Sequence, residues 1–234
     1  MKTHLDRALA IATTLLLTLA ACGPSIDQAS KRDIDQRLAR LNIGSERFAR
    51  PTGMEPKPLA VGQWVEYRTI DEDGKPGLMK QMITGQEGNA YWYELISQSY
   101  SGRTAMRILL SFGDRKNPDT FDIKAVRIKD NNGEITDYPP AMLGILRSTW
   151  NGVLESLVIR WEGLPQEDAT APAGTFEGCW KGRSKASWGP YSATSTVWSH
   201  TNVPISGAVK TVGEDKQFTM ELIAFGDTGA QSEF

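Results

Sequence analysis

The chain has 234 residues, with 26 Lys+Arg against 28 Asp+Glu and a net charge of −2, which leaves no basic footing for nucleic acid. Its length suits one domain with a sizeable core. Seven Trp and 22 Gly favour a chain of strands and turns.

The first element in chain order is predicted to be removed. The apolar run from Ala8 to Ala21 is about 14 residues, short of the roughly 20 that span a bilayer. It follows Lys2 and Arg7 as a signal h-region follows its basic flank. It ends in Leu19-Ala20-Ala21-Cys22, which resembles the lipobox of bacterial lipoproteins. That resemblance implies cleavage before Cys22, a diacylglyceryl group on its sulfur and acylation of the new amine. Gly23 after the cysteine, where an aspartate would retain the protein, resembles a signal for export to the outer membrane. The expected organisation is a signal peptide over 1–21, a lipidated tether, short helix and Pro-rich linker over 22–60, and one β-rich domain over 61–234. The mature chain would carry a net charge of −3, because Lys2, Arg7 and Asp6 leave with the signal. Cys179 would then have no intrachain disulfide partner and reads as a small buried apolar residue.

"SKRDIDQRLARLNIG" predicts a short helix with capping-box spacing at Ser30 and Asp33. Ile34, Leu38 and Leu41 line one face, and Gly44 is the expected αL stop. The three-proline stretch 45–60 reads as extended connection. From Val61 the period becomes two: "VGQWVEYRTI", "LMKQMITG", "NAYWYELIS", "TAMRILLSF" and "FDIKAVRIKD" predict a meander of strands, the last closing on the hairpin signal "NNG". Pro139-Pro140 then opens a predicted helix with Met142, Leu143, Leu146 and Trp150 at helical spacing. The apolar segment from Val153 to Trp161 is open between helix and strand, and "LPQEDATAPAG" reads as a loop. A second meander follows in "TFEGCWKGRSKA", "YSATSTVWSH", "ISGAVKTVG" and "FTMELIAFG".

Residues that could carry chemistry are few. His200 is the one histidine of the mature chain and is expected at the surface, at a strand end. No GxSxG elbow accompanies it, and His200 with Cys179 falls short of a zinc ligand set. The acidic groups "DEDG", "QEDA" and "GEDK" fall at predicted turns without EF-hand spacing, and no phosphate-binding fingerprint is present. A two-carboxylate site needs only two acids, and nothing singles out a pair. The expectation is a protein that is not an enzyme, with no cofactor and no metal.

The aromatics have two readings, core packing or the lining of an apolar ligand cavity. "GTFEGCWKG", "STVWSHTNVPISGAVK" and "MELIAFGDTGA", in a chain ordered helix, meander, helical insert, meander, resemble the outer-membrane lipoprotein carrier superfamily, the LolA/LolB-like half-barrels. The resemblance implies an α+β fold, a curved antiparallel sheet forming an incomplete barrel over the N-terminal helix and the helical insert. It implies a lipid or other hydrophobic ligand, bound or transferred at the outer membrane. Trp64, Trp92, Met142, Leu143, Leu146 and Trp198 are the candidate cavity lining. Alternation lets only one of Trp64 and its strand neighbour Tyr67 share a face with them, and does not say which. The rival expectation is a structural or protein-interaction lipoprotein without a cavity.

Overall fold

The Asp27 carboxylate accepts from Ala29 N at 2.9 Å and from Ser30 Oγ at 3.0 Å, capping helix α1, Gln28–Ala39. The computed structural model describes residues 26–144, 147, 154–155, 157–188, 191–214 and 218–234; Cys22, Leu146 and Trp150 lie outside them. The cap stands ahead of the expected Ser30–Asp33 box, so the helix starts closer to Cys22. Gly44 is not the helix stop, since Arg40 caps α1. Gly44 donates to Pro172 O at 2.7 Å, and an added Cβ would meet Ala173 O at 3.0 Å.

Twelve strands follow: β1 (Arg47–Phe48), β2 (Trp64–Ile70), β3 (Pro76–Glu87), β4 (Ala90–Ser99), β5 (Gly102–Ser111), β6 (Asp122–Lys129), β7 (Ile135–Asp137), β8 (Gln166–Ala171), β9 (Gly174–Trp188), β10 (Tyr191–Ser199), β11 (Ala208–Gly213) and β12 (Thr219–Gly226). They form one open sheet in the order β1-β9-β10-β11-β12-β2-β3-β4-β5-β6-β7, with β8 on β9 off this path. Only β1 runs parallel to its partner. The two meanders are therefore joined through β12 and β2, the last strand and the first long one.

Two expected loops proved structured. "QEDATA" contains no large apolar residue, yet it pairs along β9 as β8, because a neighbouring edge supplies the ladder that its composition does not suggest. Phe48, in the expected linker, stacks on Phe176 at 4.3 Å between ring centres. Residues 27–60 thus belong to the folded unit. In the insert, Pro140–Met142 form a 3-10 turn, and Val158–Arg160 are neither helix nor strand.

Side chains from β2–β6 and from β8, β9, β11 and β12 meet in a single core, so the sheet curls toward that side, the inner face. The fold is mostly β, and the α+β wrap needs correction in one respect. Helix α1 lies on the other, outer face: Asp33 accepts from Gln98 at 3.1 Å and Arg37 pairs with Glu66. The C-terminal tail covers the same face, where Ala230 and Phe234 pack with Trp64, Met82, Ile96 and Ala105. Under the tail lies Glu94, fully buried, which accepts from Thr84 Oγ1 at 2.7 Å, from Ser232 Oγ and from Glu233 N, and faces Arg107 at 3.3 Å.

Candidate functional site

The strand register gives the inner face two halves. Its lower end is where β2 meets β3 (Ile70 opposite Pro76), β4 meets β5 (Ser99 opposite Gly102) and β6 meets β7 (Lys129 opposite Ile135). In the upper half, Ile83, Tyr93, Ile108, Leu110 and Val126 are at most 2% exposed. Leu154, Leu157, Val203 and Ile205 cover them. Arg115 ties this cover together: Ile159 N donates to its carbonyl at 2.9 Å, and its guanidinium donates to Ile205 O. Burial lowers that guanidinium to about 10.

The loop 200–207 packs tightly over this half and, on the β2 side, reaches down to Tyr67 in the lower rows. Tyr67 donates to Ala208 O at 3.0 Å and shares a hydrogen bond with Ser206 Oγ at 3.1 Å. Trp161 stacks on Trp180 at 4.6 Å, and a Cβ on Gly207 would lie 2.7 Å from the Trp161 ring. Ile205 holds φ at 64°, a left-handed conformation that costs a β-branched residue about 1–2 kcal/mol.

The lower half of the same face is different. Met79, Leu95, Ile128 and Met220 are only half-buried, and Ser97, Thr104 and Thr136 beside them are exposed. The register joins them in rows, Leu95–Met106–Ile128–Thr136 and Tyr67–Met79–Ser97–Thr104. At the boundary of the two halves, Gln81 Oε1 and Tyr93 Oη are buried without a hydrogen-bond partner among the described residues. Gln81 lies opposite Leu95 and Tyr93 opposite Ile83, which makes them diagonal neighbours on one face. The result is a half-covered strip of apolar side chains, called the trough below, that includes the adaptable methionine and has two unused polar atoms at its inner end.

The three named tryptophans do not line it. Trp64 donates its indole N–H to Thr228 O at 3.0 Å on the outer face, with Lys80 over its ring. Trp92 is also outer, buried with Ala90 and Leu109. It donates to Glu87 at 2.7 Å and has Arg107 over its ring at 4.4 Å. Trp198 shares a side with its cross-strand neighbours Lys181 and Lys210 and donates to Glu167 at 3.1 Å. An indole N–H out of water needs an acceptor; Trp64 and Trp92 find one on the outer side and Trp198 finds Glu167 of β8, while Tyr67 and Tyr93 take the inner positions. Met142 is 41% exposed, Leu143 is half-buried against the main core, and Leu146 lies outside the described residues. The trough residues Met79, Leu95, Met106, Ile128 and Met220 were missed. Their alternation was visible, but their side was not.

His200 ends β10 as expected but is fully buried. Its Nδ1 accepts from Asn202 N at 3.1 Å, so Nε2 carries the proton that it donates to Ala49 O at 3.2 Å. Burial pulls its pKa below 6.5. Cys179 is buried, and burial pushes its thiol up to about 12. Among the described residues no three His, Cys, Asp or Glu side chains are grouped to hold a metal, and no helix is long and apolar enough to cross a membrane. A concavity of about 420 Å³ at the upper end is lined by Arg50, Thr52, Glu55, Thr201 and Asn202, a polar lining unlike the trough.

Family models, curated proteins and solved structures, searched with this chain, return no match.

Proposed function

We propose that the protein is a lipoprotein of the outer membrane, held by acyl chains on Cys22, that binds or transfers a hydrophobic ligand without catalysing a reaction. Two or more acyl chains anchor durably, at about 0.8 kcal/mol per buried methylene. The observation that carries the ligand reading is the half-open trough of Met79, Leu95, Ile128 and Met220, beside buried Met106, on an otherwise filled inner face. Apolar side chains left half-covered beside a sealed core suit an acyl chain or similar partner. The likeness to half-barrel lipoprotein carriers belongs to this reading and supplies its ligand class.

The test has two parts. Cys22→Ala should yield an uncleaved precursor or a soluble protein; a variant that still fractionates with membranes and takes up fatty acid would refute the anchor. Fractionation of the parent protein should place it in the outer membrane, and recovery from the inner membrane would refute the sorting. Organic extraction of the purified protein, followed by lipid mass spectrometry, should find co-purifying lipid that Leu95→Arg abolishes. The filled upper half favours a second reading, an anchored module that holds another envelope protein, and extraction without lipid would select it.

A further inference from the structure

We propose that the lower rim of the sheet sits on the bilayer surface, so that the trough opens toward the membrane; this rests on the Cys22 anchor proposed above. Asp27 N donates to Tyr100 O at 2.7 Å, which fastens the start of α1 to the β4–β5 turn at the lower end. Only four residues separate Cys22 from Asp27. Five residue steps reach at most roughly 18 Å. A ten-residue strand such as β4 is about 33 Å long. An acylated Cys22 therefore keeps the lower rim close to the lipid, while the upper end lies a full strand length beyond it.

The rim is built for shallow apolar contact. Ile26 next to the α1 cap, Ile135 at the start of β7 and Phe218 just before β12 are 56%, 47% and 40% exposed. Met54, Val61 and Met142 are comparably exposed and Ile43 more so at 73%, but they lie away from this rim, Ile43 past the far end of α1. The rim carries both signs of charge, Lys31, Arg32, Lys75 and Arg103 against Asp71, Glu72, Asp73, Asp130 and Glu134. Contact should therefore depend little on the fraction of anionic lipid. The half-open rows of the inner face, with exposed Ser97, Thr104 and Thr136, end at this rim. A hydrophobic ligand could pass between trough and bilayer without crossing open water.

The experiment uses the full chain, processed in cells and reconstituted into phosphatidylethanolamine–phosphatidylglycerol vesicles. Single cysteines Ile135→Cys, Phe218→Cys and, at the upper end, Thr201→Cys are labelled with a nitroxide; Cys22 is consumed by its thioether and Cys179 is buried. Collision with oxygen relative to a water-soluble nickel chelate should be several-fold higher at the two rim sites than at position 201, and should change little when the phosphatidylglycerol fraction is doubled. Rim labels as wet as the label at 201, on protein that floats with the vesicles, would overturn the orientation and leave the anchor standing. Protein that does not float would remove both.

Discussion

The upper and lower halves of the inner face are built on the same strands with the same alternation, yet one is sealed and the other is not. Tyr93 and Leu95 stand two residues apart on β4; the first is fully buried, the second only half. What separates them is cover. Leu154, Leu157 and the loop 200–207 lie over the upper rows and over the β2 ends of the lower ones, at Val65 and Tyr67, while the β3–β7 part of the lower rows ends at the rim. The period of a strand fixes which residues share a face, but whether that face becomes core or site depends on segments far away in the chain.

The largest effect should come from the upper half. Phe176 is fully buried, stacked on Phe48 and edge-on to His200 at 5.4 Å. Phe176→Ala should cost about 3–5 kcal/mol, as truncations of packed aromatic residues do, measured as a shift in urea midpoint at unchanged slope. A loss below about 1 kcal/mol would mean that the upper half is no better filled than the lower.

The cover itself supplies the next contrast. Ile205→Ala and Ile205→Gly both remove a buried side chain, but only glycine relieves the positive φ. Glycine should be the more stable of the two by about 1 kcal/mol, the reverse of the usual order. Equal stabilities would mean that the loop relaxes, and that its fit over Tyr67 and Trp161 does not hold it in place.

Much of this was legible in the sequence, and the failures share a cause. Strand alternation, the "NNG" hairpin and the burial of Cys179 follow from local chemistry. The choice of Tyr67 over Trp64 for the inner face does not, because it was settled by Ser206 and Ala208 O, about 140 positions away, and by Thr228 O on the other side. His200 looked like a strand-end surface residue, yet Ala49 O and Asn202 N enclose both ring nitrogens. Size and apolarity point to tryptophan as a cavity lining. The trough is made instead of residues whose incomplete burial marks it, a property that exists only after folding.

Smaller again is the pH response of His200, which sits between the core and the loop that covers it. Its folded pKa lies below the unfolded value of 6.5, so the unfolded chain binds the proton more readily. The histidine's contribution is fully present above pH 6.5 and declines as the pH falls below it. Stability measured from pH 7.5 to 5.5 should fall across that window, and His200→Gln should flatten the fall. The same slope in both proteins would assign it to other groups and leave the Asn202 N–H bond to Nδ1 without a measurable role.

The smallest stability effects should be in the lower half, and they sharpen the comparison most. Leu95→Ala and Met220→Ala remove side chains that are already half in water, so the lost transfer free energy is a fraction of the roughly 1.5–3 kcal/mol for a fully buried residue. No closed cavity should form, because the space joins the open trough. Each variant should cost about 1 kcal/mol or less, well under Phe176→Ala in the same urea titration. A leucine that fills a core and a leucine that lines a site have the same chemistry, and their truncation costs tell them apart. If Leu95→Ala costs as much as truncation of Ile108 two strand rows away, the lower rows are core, and the ligand reading of the trough fails. If the cost is small and the variant also loses co-purifying lipid, the same side chain is spending its apolar surface on a ligand instead of on the fold.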